Sequence, residues 1–285
     1  MSPFDARLCT LGEGPLWHPE RQQLFWFDIL GKTLLSRNGD APFAWTFDTH
    51  HSAAGWVDRD TLLIVSETAL SRFDITTGQS TEISALEADN PITRSNDGRA
   101  DPWGGFWIGT MGKDAEPGAG AIYRYYKGSL RALVPDITVS NAICFAPDRS
   151  CAYYTDTVTQ QIMRQPLATL DGWPDGPATV FVDLRDTKLF PDGAVTDAAG
   201  NLWVAIWGQC CVICFGQDGT EQRRIDIPAR QVTCPAFGGP DLRNLYVTSA
   251  RVGLRNEELE TRPENGATFL FPATAQGVAE PRVIL

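Results

Sequence analysis

Histidine is scarce in this chain. There are three in 285 residues, His18, His50 and His51, and no H-E-x-x-H, which excludes a histidine-rich zinc site of the protease type. No G-x-S-x-G occurs either, so a serine hydrolase built on a nucleophile elbow is excluded. The opening MSPFDARLCTLGEGPLW has no basic start followed by an apolar run, and no apolar stretch approaches the roughly 18 residues of a bilayer span. A cytoplasmic protein with no membrane partner is therefore expected. Basic clusters are missing too. A net charge of −11 and a pI near 4.7 repel phosphate backbones, so no nucleic-acid partner is expected. Finally, no long stretch carries the i, i+3, i+4, i+7 pattern of an amphipathic helix.

What is present is ordinary globular material, 43% hydrophobic and 21% charged, enough for a large core. The seven cysteines are an odd number and make a poor disulfide framework without an export signal, so reduced thiols are expected. Cys211 and Cys214 form a C-x-x-C, but it lies in the strand-like run CCVICF, which suits buried apolar thiols better than a zinc ribbon or redox helix.

One phrase recurs. Short β-rich runs centre on Trp26, Leu63, Trp107, Tyr154, Trp203 and Tyr246, with gaps of 37, 44, 47, 49 and 43 residues. Each is preceded by turn residues (HPERQQ, DRD, DPWGG, APDRS, DAAGN, GPDLRN) and followed by another short strand. Six such units predict an all-β fold, a six-bladed β-propeller with four-stranded blades around a central channel, spanning residues 1–285 as one domain. Ring logic suggests that RLCTL and RVIL pair in one blade to close the circle.

In such a ring the first strand of each blade lines the channel. Positions 11 to 13 before each anchor should then converge at one mouth: Glu13, His50 to Ser52, Asn96, Asn141, Asp192 and Thr233 to Pro235. Asp97 competes with Asn96 for its place, since NDG can align with PDG through either residue. Asp and Asn in NDG and PDG commonly just cap turns. Two carboxylates and two amides in one register point further, because unpaired they would be costly and a divalent cation satisfies them together. Oxygen ligation suits Ca²⁺, Mg²⁺ or Mn²⁺, while Zn²⁺ and Fe²⁺ are tolerated at sites with open water positions. His50 and His51 fall in the same register, as pocket lining or as structural residues. The glycine-rich MGKDAEPGAG at 111–120 reads as a lid or as a plain hairpin connection at that mouth.

LGEGPLWHP, RSNDGRADPWGGFWIGTM, VSNAICFAPD and FPDGAVTDAAGNLWVA, in this order, resemble the senescence marker protein 30/gluconolactonase family, to which regucalcin-like proteins belong. The resemblance implies a six-bladed propeller with one divalent metal in the channel, hydrolysing a sugar lactone. By position it implies Glu13, Asn141 and Asp192 as metal ligands, and Asn96 near the metal or bound through water or substrate. Arg94 and Glu116 match substrate-contacting positions, and the attacking water is implied to be activated by the metal or deprotonated by Asp192, the implied catalytic residue. The segment THHSAAG matches no family motif, leaving one wall of the pocket unassigned. Two other readings stand beside lactone hydrolysis: a phosphotriesterase or other esterase on the same metal site, and a non-catalytic propeller that the metal braces for protein recruitment.

Overall fold

The computed structural model describes residues 3–285. Five antiparallel four-stranded sheets cover 12–46, 51–85, 93–137, 140–183 and 191–226, and a three-stranded sheet covers 231–271. Each runs inner strand to outer strand in chain order, and the six inner strands contact one another in a closed circle. This is the expected six-bladed propeller.

The inner strands are Gly12–His18, His51–Asp58, Thr93–Ala100, Ser140–Phe145, Pro191–Thr196 and Gln231–Gly238. They are buried along nearly their whole length, whereas outer strands such as Ala41–Thr46 and Glu221–Asp226 are largely exposed. Six strands crowding one axis leave room only for small residues, hence HSAAG, SNA and PDGA. At Gly193 an added Cβ would lie 2.4 Å from Cys234 Sγ on the neighbouring inner strand. Gly14 is in the left-handed region at φ 55°, with Ser52 O 2.2 Å from where its Cβ would be.

The apolar core is divided between blades. Ala142, Cys144 and Ile162 of the fourth blade pack with Ala194, Val204 and Ile213 of the fifth, and Leu16 and Phe25 of the first with Leu62 and Ile64 of the second. The sequence alternation thus buries one face of each sheet against the preceding blade and the other against the next. No blade has a complete core alone, so the ring must close.

Closure differs from the expected pairing of RLCTL with RVIL. The N-terminal segment reaches the sixth blade, where Asp5 and Thr268 exchange two backbone hydrogen bonds of 3.1 Å and Leu11 bridges Ala250. The bridge at Thr268 extends the three-stranded sheet. The C-terminal segment instead tucks between the second and third blades, with Val283 N–H donating to Trp56 O and Ile284 N–H to Gly104 O, each at 2.8 Å. Val283 is fully buried with Phe106 and Val57, and Gly55 makes room for it. Apolar burial in the inter-blade seam fixes this end of the chain, where strand pairing was the expectation. Val283→Ala should therefore lower the unfolding free energy by about 1–3 kcal/mol in urea titrations; an unchanged midpoint would show the tail to be no part of the core.

Candidate active site

Every inner strand carries one extra residue relative to its neighbour. The register slips between Glu13 and Leu16, His51 and Ala53, Asn141 and Cys144, Pro191 and Ala194, and Val232 and Pro235, and Asn96 and Asp97 together face Gly109. Such bulges bend a strand and re-aim its side chains. Glu13 and Asn141 stand just before the bulge, whereas Asn96 and Asp192 are its first residue. The bulge is therefore the device that turns these groups together at the leading end of the inner strands.

There the structure joins five of the expected residues by hydrogen bonds or charge. Arg94 Nη1 donates to Asn96 Oδ1 and Ser95 O, both at 2.8 Å. Asn96 Nδ2 in turn donates to Ser140 O (2.8 Å) and Asn141 Oδ1 (3.1 Å). Asn141 Nδ2 donates to Thr157 Oγ1 (2.9 Å), which donates to Pro191 O (2.8 Å), beside Asp192. This chain of bonds directs the Asn141 carbonyl oxygen away from Thr157 and links the third, fourth and fifth blades. Glu13, Arg94, Asn96, Asn141 and Asp192 are all buried.

Their charges are unbalanced. Burial, then the charge of Asp97, pushes Glu13 up to about 8, against the Gly14 N–H and Arg94. Burial raises Asp192 well above the usual carboxylate range, with Glu13 and Asp97 adding to the effect. Asp97 itself is raised to about 6 by burial, although Ile143 N–H donates to its Oδ2 at 2.7 Å. Burial lowers Arg94 to about 10, while Glu13, Glu67 and Asp192 favour its charged form. Glu13 and Asp192 thus share the field of one guanidinium, Arg94, while Asp97 feels that of Arg99.

Among the described residues no three His, Cys, Asp or Glu side chains converge as a ligand group. A cation here would rest on the two carboxylates of Glu13 and Asp192 and the amide oxygen of Asn141. That oxygen-only donor set, buried and short of positive charge, fits a hard divalent ion.

Glu116 stands apart from these groups. It lies half-buried in the connection between strands Phe106–Gly112 and Gly120–Tyr126, and its Oε2 accepts from Asp114 N–H at 3.1 Å. This glycine-rich segment is a hairpin connection at the same mouth, and Lys113 pairs it to Glu67 of the second blade. Glu67 Oε1 also accepts from His50 N–H at 3.0 Å, so His50 belongs to the rim. His51 is packing: its ring stacks on Phe47 with centroids 4.0 Å apart, and burial lowers it to about 4. Thr157 is the site group that the residue pattern did not single out. Thr157 directly follows strand Cys151–Asp156 and opens a one-turn 3-10 helix, outside the strand register that the residue pattern follows. Asp97 and Asn96 competed for one place in the register, yet both residues reach the site.

The C-x-x-C behaves as an apolar pair. All seven cysteines are free. Cys211 and Cys214 lie on one strand with an odd spacing, so they face opposite sides of the sheet, in the seams towards the fourth and sixth blades respectively.

A six-bladed propeller with carboxylates and amides gathered at one channel mouth defines the class. The sequence profile of the SMP-30/gluconolactonase/LRE-like region matches residues 11–251, and the chain belongs to this family. It is 35% identical over 283 residues to an L-arabinolactonase of Azospirillum brasilense, covering 96% of this chain and 92% of that protein. It is 34% identical to a 6-deoxy-6-sulfogluconolactonase of Pseudomonas putida, covering 95% and 94%. A crystal structure of a calcium-binding protein, regucalcin, from Agrobacterium tumefaciens superposes with a TM-score of 0.97 at 39% identity, covering 99% of this chain and 97% of that one. No helix among the described residues is long and apolar enough to cross a membrane.

The raised carboxyl groups have a consequence for stability. In chelator-treated protein, folded Glu13 keeps its proton up to about 8 while the unfolded residue releases it near 4.5. The folded state then binds more protons between these values, so stability should fall as pH rises through that window. Urea unfolding at pH 5 and pH 8 checks this, and Glu13→Gln should flatten the slope; an equal slope in the variant would place its source elsewhere.

Proposed function

We propose that the chain is a divalent-metal-dependent sugar lactonase that opens an aldono- or aldarolactone to the sugar acid in carbohydrate breakdown. The observation that carries this reading is the joint burial of Glu13 and Asp192 at one channel mouth, beside the Asn141 amide and the Arg94 guanidinium. The lactonase names of the relatives support the substrate class. Glu13, Asn141 and Asp192 would hold the ion. Ca²⁺, Mg²⁺ and Mn²⁺ suit such oxygens, with Zn²⁺ and Fe²⁺ tolerated. When bound, the ion polarises the lactone carbonyl and offsets the charge of both carboxylates.

The residues of the chain supply the rest. The attacking water, whose oxygen bonds to the carbonyl carbon, gives up its proton to Asp192, which a bound ion would make a weaker base while also making the water more acidic. The ring C–O bond then breaks, the ring oxygen takes up a proton and leaves as a hydroxyl, and one water is consumed per hydroxy acid formed. Arg94 Nη1 is engaged by Ser95 O and Asn96 Oδ1, and no hydrogen bond occupies its Nε or Nη2. Those free donors fit vicinal sugar hydroxyls or a terminal carboxylate. Asn96 uses its amide to hold Arg94 and Asn141 in fixed relation beside the substrate. Glu116 would join the substrate contacts from the hairpin connection above the mouth.

A panel of pentono-, hexono- and uronic-acid-derived lactones, run beside a phosphotriester panel, tests the reading. Removing divalent ions with a chelator should abolish lactone hydrolysis and adding one back should restore it; full activity in metal-free protein, or turnover of phosphotriesters alone, would overturn the proposal. Asp192→Asn keeps an oxygen but loses charge and basicity, and kcat should fall on the order of 100-fold or more. Arg94→Ala should lower kcat/KM by about 1.5–3 kcal/mol equivalent, for all lactones if it reads hydroxyls and selectively for sugar diacid lactones if it reads a carboxylate. No change for either kind would remove Arg94 from the site.

A further inference from the structure

The opposite mouth of the channel has a different character. The trailing ends of the third, fourth and fifth inner strands meet the C-terminal segment around a cavity of about 450 Å³. Four charged residues line it: Arg99, Arg149, Arg282 and Glu280. Arg99 and Glu280 pair with each other, so their charges cancel. Among the described residues Arg149 and Arg282 take part in no ion pair, leaving two uncompensated guanidinium groups in a chain whose net charge is −11. The stem of Arg282 is held by Nε donating to Val57 O.

The walls between these charges are apolar, with Trp103 and Phe145 among them. Arg99 is nine-tenths buried, and its Nε donor has no acceptor. A buried N–H without a partner is costly, and Arg99 lines a cavity large enough for a small molecule.

We propose that this lower cavity binds a small organic anion, its acid group held by Arg149 and Arg282 and its flat apolar body lying against Trp103 and Phe145. Guanidinium forks suit both carboxylate and phosphate, and the aromatic wall requires more than a bare inorganic ion. The site lies across the channel from Glu13 and Asp192 and does not rest on the lactonase reading.

Isothermal titration of the full chain with benzoate, phenyl phosphate, benzyl alcohol and inorganic phosphate tests it. Benzoate or phenyl phosphate should bind saturably, with the stronger of the two identifying the acid group preferred, and benzyl alcohol should not bind. Arg149→Gln and Arg282→Gln should each weaken binding at least tenfold. Arg149 is exposed and makes no side-chain hydrogen bond, so its variant should keep the wild-type melting temperature. Asp192→Asn, at the other mouth, should leave binding intact. The proposal fails if neither organic anion binds, if inorganic phosphate binds as tightly as they do, or if Asp192→Asn abolishes binding that the arginine variants retain.

Discussion

Two carboxyl groups, Glu13 and Asp192, are held buried within each other's field at one mouth of the channel and share one buried guanidinium, Arg94. Most of the architecture around them can be understood as the means of keeping them there. Six inner strands converge because each sheet finds its apolar partner only in its neighbours. That convergence buries the side chains near the axis, and it raises the cost of every charge placed there. A single extra residue in each inner strand then aims selected side chains at the mouth. The hydrogen-bond chain from Arg94 through Asn96, Asn141 and Thr157 to Pro191 O fixes the polar groups that surround the carboxylates. The unrelieved negative charge is the physical ground for the proposed cation.

Much of this was legible in the residues because the repeat is marked by large aromatic side chains in the second strand of most blades. Trp107 and Trp203 stand at equivalent places, and counting back eleven residues from each finds Asn96 and Asp192, which are indeed equivalent at the bulge. Trp26 and Tyr154 lie opposite the bulge itself, two positions out of phase with Trp107 and Trp203, which explains why Glu13 and Asn141 needed a longer count. Ring closure was not legible. It depends on isolated bridges at Asp5 and Leu11 and on the burial of Val283, none of which leaves a period in the sequence. The place of Asp97 was hidden for a related reason. Alternation assigns neighbouring strand residues to opposite faces, and only the bulge allows both Asn96 and Asp97 to reach the centre.

The two mouths of the channel carry opposite charge because they are built from different parts of the same strands. Leading ends supply Glu13 and Asp192, while at the trailing ends Arg99 is neutralised by Glu280 and the excess positive charge comes from Arg149 and from Arg282 of the C-terminal segment. Arg99 stands two residues after Asp97, and its Nη2 donates to Ala194 O at 3.3 Å, two residues after Asp192. The ends are thus linked by short stretches of rigid strand.

The central claim is that Glu13, Asn141 and Asp192 together hold one divalent ion. Crystals grown with Mn²⁺ and measured for anomalous scattering test it directly. The account predicts a single strong peak among these three side chains, with oxygens from all of them at roughly 2.0–2.6 Å. A strong peak elsewhere in the chain with none at this mouth, or no peak at saturating Mn²⁺, would contradict it.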